Sequence, residues 1–481
     1  MLERGQATNG SDFYAYRYLA TEGFLPGYNF PRLPLYAFIP ATRRAAVLQR
    51  PRFLAISEFG PNSLIYHEGR VFRVVRAKLP SHGRIEGGRL GTTTLVLCSV
   101  CGAAHDDKVA ERCHACGSSL DGERFDDIYR IDNVETTPST RITANDEDRQ
   151  RRGFEIQTVF QWPMDQGRPD IRALTLRSDN GPLLHLDYGA VTKLSRINKG
   201  LRRRKSKTTF GFCIDPSSGR WVKDAVNGGD DDGDVTIPRP QRIVPIVQDY
   251  KNALLLRPVA SFNEAQMATL QHALIRGIEI VAELEEGELL GEPMPRRDTR
   301  NAILLYEATE GGAGVLNRLV SDPERMAEVA REALRLMHYE GPFDTTPLKE
   351  SADACVAGCY RCLLSYFNQT DHESIDRRDP EVVDFLRSLI SANLTQTTTD
   401  RPPDLWTTAI ERWKLPLPTG RQIDGVVYPL YWELQRLLAV PGTEIDTLRK
   451  RCDDLGIDFI ALPAEPGELP PDALIATLGS S

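Results

Sequence analysis

No run of about 18 apolar residues occurs in this chain, which excludes a helical membrane span. No G-x-x-x-x-G-K-[ST] occurs either, so the glycine-rich loop that cradles nucleotide phosphates is missing. No DExH or DExD box sits in a strand-like context. The first residues, MLERGQATNGSDFY, lack the apolar stretch of a secretory signal, so a cytoplasmic chain is expected. Positive charge is not in excess: 59 Lys+Arg against 67 Asp+Glu leave a formal charge of −8. A protein that coats nucleic acid by net charge alone is therefore excluded, whereas a local basic patch is not. An apolar fraction of 41% with 26% charged residues excludes wholesale disorder. At roughly 100–200 residues per domain, 481 residues give room for about three domains.

What is present is clustered. Seven of the nine cysteines fall in two groups, while Cys213 and Cys452 stand alone. In a reducing compartment such clusters read as metal sites rather than disulfides. The first group is Cys98-Ser-Val-Cys101-Gly and Cys113-His-Ala-Cys116-Gly. Each CxxC can form a knuckle that aims two thiolates at one point, and the following glycine permits the turn. Two knuckles supply the four sulfurs of a closed, structural Zn²⁺ site. Two redox dithiols are the alternative, but the βαβ context they expect is absent. His105 and His114 lie close by and read as bystanders.

The second group, Cys355, Cys359 and Cys362, has the spacing C-x3-C-x2-C and is one ligand short. His372 is the nearest candidate for the fourth place, with Asn368, Asp371 and distant Cys213 as alternatives. Metal binding, as a second zinc site, is the expectation, and buried cysteines without metal are the alternative.

Along the chain, FEIQTVFQW, IRALTLRS, PLLHLDYGAVTKLSRIN, TTFGFCID and RIVPIVQDYKNALLLRP read as strands across residues 150–260. At Ser261 the period changes: Ser261 and Glu264 fit a capping box, followed by apolar residues at helical spacing. AILLYEA (302–308) reads as a buried strand, and 322–338 and 380–393 read as helices. The fold expected is α+β and multidomain. A β-rich N-terminal half carries an inserted four-cysteine zinc ribbon, and an α/β C-terminal half carries the second cysteine cluster. The expected segments are 1–89, rich in aromatics; 90–135, the ribbon; 136–260, β-rich with a basic loop; 261–395, the second cysteine domain; and 396–481, a linker and small appendage.

Residues 196–207 hold Arg196, Lys199, Arg202, Arg203, Arg204, Lys205 and Lys207 without one acidic residue. On a loop, such a run can neutralise phosphates and release counterions. A solvated face is the plainer reading. The acidic loop GGDDDGD (228–234) lacks the spacing of a calcium loop. The turn Glu310-Gly311-Gly312-Ala313-Gly314 stands between a strand and a helix, where N–H groups can meet a phosphate or simply allow close packing. In the tail, Asp424 and Glu433-x-Gln435 faintly suggest a degenerate nuclease core, without its lysine.

The segment DACVAGCYRCLLSYFNQTDHESIDRRD resembles the C-terminal zinc-binding domain of MrfA/YprA-type superfamily 2 DNA helicases. The same domain family occurs in antiphage systems, including DISARM DrmB and the Druantia helicase. YEATEGGAGVLNRL (306–319) and IDRRD (375–379) also match. YRYLATEGFLPGYNFPRLPL and RPRFLAISEFG look like segments that follow the motor core in such helicases. The resemblance covers about residues 10–395, and the last 80 or so lie outside it. In that family a fourth cysteine follows the third after about five residues; here the place falls on Asn368.

The resemblance implies zinc, DNA, and a superfamily 2 helicase motor as partner. With no phosphate-binding loop, the chain is expected to be a non-catalytic accessory part of a split or truncated helicase in DNA repair or antiphage defence. A metal-dependent nuclease built on the tail and a pure assembly scaffold are the alternatives.

Overall fold

The structure is a computed structural model. It describes residues 34–40, 46–79, 85–86, 88–106, 112–120, 122–139, 153–165, 168–222, 240–308, 314–343, 348–396, 405–416, 418, 421–423, 426–428, 430–441, 446–463, 466–467 and 469–478. The aromatic stretch before residue 34, the acidic loop 228–234, Glu310–Ala313 and Asp424 lie outside the described residues. The fold is mixed α+β and strand-rich, as its alternating and continuous apolar runs require. Contacts group the chain into two units, 1–162 with 175–395, and 163–174 with 396–481.

In the first unit a small five-stranded sheet uses Leu35–Ile39, Ala46–Arg50, Leu64–His67, Arg70–Lys78 and Asn133–Ser139. Period-2 alternation in LYAFI buries Leu35, Ala37 and Ile39 and leaves Tyr36 and Phe38 on the other side. The larger sheet has twelve strands among the described residues. Its spine is the antiparallel pair Gly181–Leu201 and Gln241–Pro258, in register from Leu184 opposite Pro258 to Ile197 opposite Ile246. A bulge between Gly189 and Thr192 interrupts that pair. Gln241–Pro258 also pairs with Ala302–Glu307, whose six residues are all buried between two strands. The same long strand pairs in parallel with Arg124–Arg130, which leads on to Thr93–Leu97 beside the first cysteines.

The helix expected after Ser261 runs from Glu264 to Val281. Its cap is Asn263 rather than Ser261: the Asn263 side chain accepts from the Gln266 N–H, and Gln266 reaches back to the Asn263 N–H, both at 3.0 Å. Two overlapping capping signatures occur in SFNEAQ. The later one forms with Phe262, the residue before the cap, edge-on to Phe385 at 5.2 Å. Helices Arg325–Leu336 and Pro380–Ile390 pack beside it. Asp379 caps the latter, and Pro380 stands at its first position, where proline costs least.

The second unit has its own core of Trp406, Ile410, Leu430, Trp432 and Leu437. In it, Leu437–Pro441 and Asp458–Leu462 pair in parallel across the helix Asp446–Leu455. Among the described residues, no helix is long and apolar enough to cross a membrane.

Candidate metal centres

The first CxxC lies on a hairpin. Thr93–Leu97 runs into Cys98 and returns as Ala104–His105, with Leu97 opposite Ala104. The Cys98 N–H donates to the Ala103 carbonyl at 2.8 Å, and the Gly102 N–H donates to the Cys98 carbonyl at 3.0 Å. The second CxxC repeats the pattern, Cys113 to Ser118 and Gly117 to Cys113, both at 2.8 Å. Gly102 (φ +79°) and Gly117 (φ +76°) supply the left-handed residue that each knuckle needs.

The two knuckles face each other. Sγ of Cys98 is 3.6 Å from that of Cys116, and Sγ of Cys101 is 3.5 Å from that of Cys113. All four sulfurs lie within 4.8 Å of one another. Tetrahedral zinc with Zn–S bonds near 2.3 Å requires S···S separations of about 3.8 Å, so the donor set fits that ion. Hydrogen bonds with Cys101 and Cys113 bring the Cys98 thiol down to about 6, while the bond with Cys113 pushes Cys101 up. Crowded, buried sulfurs of this kind are stabilised together by a cation. His105 and His114 meet each other, Nδ1 to Nδ1 at 3.1 Å, and are not members of the four-sulfur group.

Cys355, Cys359 and Cys362 lie on a turn-rich stretch, and a histidine completes the group: His338. Its Nε2 is 3.4 Å from Sγ of Cys359, and Sγ of Cys355 is 3.7 Å from that of Cys362. The Cys359 N–H donates to Sγ of Cys362 at 3.0 Å, the bond of a short knuckle. Burial opposes ionisation of Cys359, but the hydrogen bonds with His338, the Arg361 backbone, Cys362 and Cys355 together outweigh it and the thiol falls to about 6. Burial pushes Cys362 up to about 12.

His372 is not brought to these sulfurs. Its Nε2 is 3.0 Å from the Ser365 carbonyl and 2.9 Å from Oδ1 of Asn368. Asn368 is itself committed: its side-chain amide donates to the Leu363 carbonyl at 2.8 Å and its Oδ1 accepts from the Ser365 N–H at 2.7 Å. The serine and asparagine form a capping box over a short 3-10 turn, and His372 closes that turn. Cys213 lies in the strand Phe212–Ile214, outside the group.

Sequence spacing gave no reason to pick His338, which precedes the first cysteine by 17 positions. One signal existed. Where a helix ends, the left-handed residue is usually glycine, yet here it is His338 with φ +66°, just beyond the helix Arg325–Leu336.

Arg377, from the IDRRD stretch, is 1% exposed and holds the two halves of this centre together. Its Nε donates to the Cys355 carbonyl at 2.6 Å. Its Nη1 donates to the carbonyl of Met337, next to His338, at 3.1 Å, and to Glu350 at 3.2 Å. Five hydrogens in a rigid fork make arginine suited to such bridging.

One turn touches the first centre on one side and the segment that follows the second cysteine group on the other. A Cβ on Gly102 would lie 2.8 Å from Sδ of Met294 and 3.0 Å from Cα of Pro295, so the knuckle and that turn are in close contact. The Asn301 amide donates to the Val100 carbonyl at 3.3 Å. On the other side, Arg297 and Arg300 donate to Oδ1 of buried Asp371 at 2.5 and 3.1 Å, and His272 meets its Oδ2 at 3.1 Å. Burial alone would raise the Asp371 carboxyl, but His272, Arg300 and Arg297 hold it well below the usual carboxylate range.

The seven cations of 196–207 do not share one role. Residues 196–201 continue the long strand, so the exposed loop begins only at Arg202. Arg196 is half-buried: Nη2 donates to Glu292 at 2.8 Å and to the Tyr306 hydroxyl at 2.9 Å. Lys199 donates to Glu123 at 2.7 Å, and Arg204 to Glu155 at 2.6 Å. Lys207 donates to the Arg202 carbonyl at 2.6 Å and lies 3.5 Å from Glu155. Arg202, Arg203 and Lys205 are exposed. Among the described residues, Arg203 and Lys205 have no side-chain ion-pair partner.

The helix Val315–Ser321 after the glycine turn has its N–H groups occupied from within. Buried Glu307 accepts from the Leu316 N–H at 3.0 Å and the Gly314 N–H at 3.3 Å. A carboxylate of the chain stands where a phosphate would bind. In the tail, Glu433 and Gln435 lie on the turn between Tyr431–Trp432 and Leu437–Pro441.

Residues 270–363 match the family described as the MrfA Zn-binding domain. That span includes His338 and all three cysteines of the second centre. Among solved structures, the DUF1998 helicase MrfA bound to DNA is similar at 10% identity and TM-score 0.34, covering 74% of this chain and 34% of that one. The same helicase without DNA aligns at 9% identity and TM-score 0.28, covering 69% of this chain and 32% of that one. The chain thus spans about a third of the length of the helicase structures it matches. Among curated proteins, none matches.

Proposed function

We propose that this chain is a non-catalytic, zinc-binding accessory part of a superfamily 2 DNA helicase whose motor lies outside the sequence described here. The observation that carries the reading is the match of residues 270–363 to the MrfA Zn-binding domain, over a segment whose Cys355, Cys359, Cys362 and His338 converge as four donors. The absence of a phosphate-binding loop supports a role without ATP hydrolysis of its own.

In this reading both centres are closed, structural zinc sites with no position for a reacting water. They hold the ribbon and the helical part rigid against the turn 294–301. Arg202, Arg203 and Lys205 at the tip of the long strand touch the DNA backbone, supported by Arg204 and Lys207, whose charges Glu155 partly balances. Such contacts give salt-dependent, sequence-independent affinity. The pathway is DNA repair or defence against phage.

Affinity capture of the tagged chain from its host, with and without nuclease treatment, tests this. A nuclease-resistant ATPase partner, whose DNA-stimulated turnover rises when the chain is added, is the expected result. Indifference to DNA at low salt would leave an assembly scaffold. Metal-dependent cleavage of DNA by the purified chain would make it an enzyme instead.

A further inference from the structure

The small sheet of the first unit is strongly basic within an acidic chain. Its five strands carry Arg50, Arg70, Arg73, Arg76 and Lys78 against one carboxylate, Glu135, although Arg50, opposite Leu35, is paired with Glu58 at 2.7 Å. One face is core: Leu35, Ala37, Ile65, Val74, Ala77 and Val134 pack with Ile214 and Trp221. The other face is decided by a bulge. Arg73 is opposite Thr137 and Arg76 is opposite Glu135, so Val75 is an extra residue in its strand. Residues three apart would ordinarily point to opposite sides. The bulge resets the alternation and puts Arg73 and Arg76 on one side, with Lys78 two residues further.

Aromatic rings share that face. Phe38 is the neighbour of Glu135 on the adjoining strand, and Lys78 Nζ lies 4.5 Å above its ring. Tyr36 precedes Phe38 by two residues. Tyr66 follows Leu64, the partner of Arg73, by two. Tyr66 is 42% exposed, and Tyr36, Phe38, Arg73 and Arg76 are half-buried. Arg76 meets Glu135 at 3.3 Å, whereas Arg73 has no ion-pair partner among the described residues.

We infer that this face binds single-stranded nucleic acid, with Phe38 and Tyr66 stacking on bases and Arg73, Arg76 and Lys78 contacting phosphates. The inference rests on the nucleic-acid reading above and adds a second surface to it. The charge excess selects a polyanion. Rings set among cations on a partly exposed sheet face offer stacking surfaces that unpaired bases can use. A duplex keeps its base faces covered and gains only the charge. An acidic protein segment would likewise use the cations without needing the rings.

The test uses the full zinc-loaded chain and a fluorescent oligothymidine, with anisotropy measured against salt. Arg73→Gln with Lys78→Gln is expected to weaken binding about tenfold and to lower the salt slope by roughly 1.4, at about 0.7 per single-strand phosphate. Tyr66→Leu and Phe38→Leu are expected to weaken binding several-fold with the slope unchanged. Should Phe38→Leu unfold the sheet, the exposed Tyr66 position decides. A bromodeoxyuridine oligonucleotide should also photocross-link the wild-type chain within residues 36–38 or 64–78. Wild-type affinity in both the charge and the Tyr66 variants, with cross-links confined to 202–207, overturns this inference and leaves the broader reading standing. Equal loss of affinity for a duplex in the Tyr66 variant overturns the single-strand assignment. No binding by the wild-type chain at low salt overturns both.

Discussion

Nε2 of His338 lies 3.4 Å from Sγ of Cys359, although the two residues are 21 apart and belong to different elements. The helix Arg325–Leu336 delivers the histidine, and the turns after Lys349–Glu350 deliver the sulfur. The second metal centre is therefore a tertiary contact and not a local loop. Its integrity reports on the packing of the helical half.

Zinc stoichiometry follows from the two donor groups. The intact chain should carry about two zinc ions, one for each set of four donors. His338→Ala should lose about one of them, whereas His372→Ala should keep both. Elemental analysis of the dialysed proteins decides, and equal zinc content in the two variants would remove His338 from the centre.

Arg377 positions the second centre without touching the metal. Arg377→Gln should lower zinc affinity at that site about 10–100-fold, the range found for residues that orient ligands. Arg377→Lys should recover little, because one ammonium cannot span the Cys355 and Met337 carbonyls and Glu350 as the guanidinium does. Chelator competition measures it, with the first centre as internal control.

Acid should unfold the helical part through Asp371. Its carboxyl is held below the range it has in an unfolded chain, about 3.9. The stabilisation is therefore complete above that value and is lost as pH falls through the lower, folded-state value. Asp371→Ala leaves buried Arg300 with only the longer Glu264 contact at 3.8 Å, and should cost about 3 kcal/mol at neutral pH. Urea titrations at pH 7 and about pH 2 should show the variant less pH-dependent than the parent over that interval.

The basic stretch should separate into two classes. Arg202→Glu, Arg203→Glu and Lys205→Glu together should reduce DNA affinity and salt slope while the melting temperature holds. Arg196→Ala should do the reverse, lowering stability because Glu292 and the buried Tyr306 hydroxyl lose their shared partner. Melting curves and anisotropy on the same preparations distinguish them.

The sequence by itself determined the local features. CxxCG carries its own turn geometry, so the first sulfur cluster was legible from spacing and two glycines. Continuous apolar runs announced Ala302–Glu307, and helical spacing announced Glu264–Val281, because burial imposes its period on the residues themselves. What adjoins what across long separations has no such local imprint. His338 reaches Cys359 only because a helix packs where it does, and Arg377 bridges them only after both have arrived. Seven clustered cations looked equivalent until the fold placed Glu292, Glu123 and Glu155 beside four of them. Arg73 and Arg76 came to share a face through one extra residue, Val75, because pairing register is decided by the neighbouring strand and not by the strand that carries it.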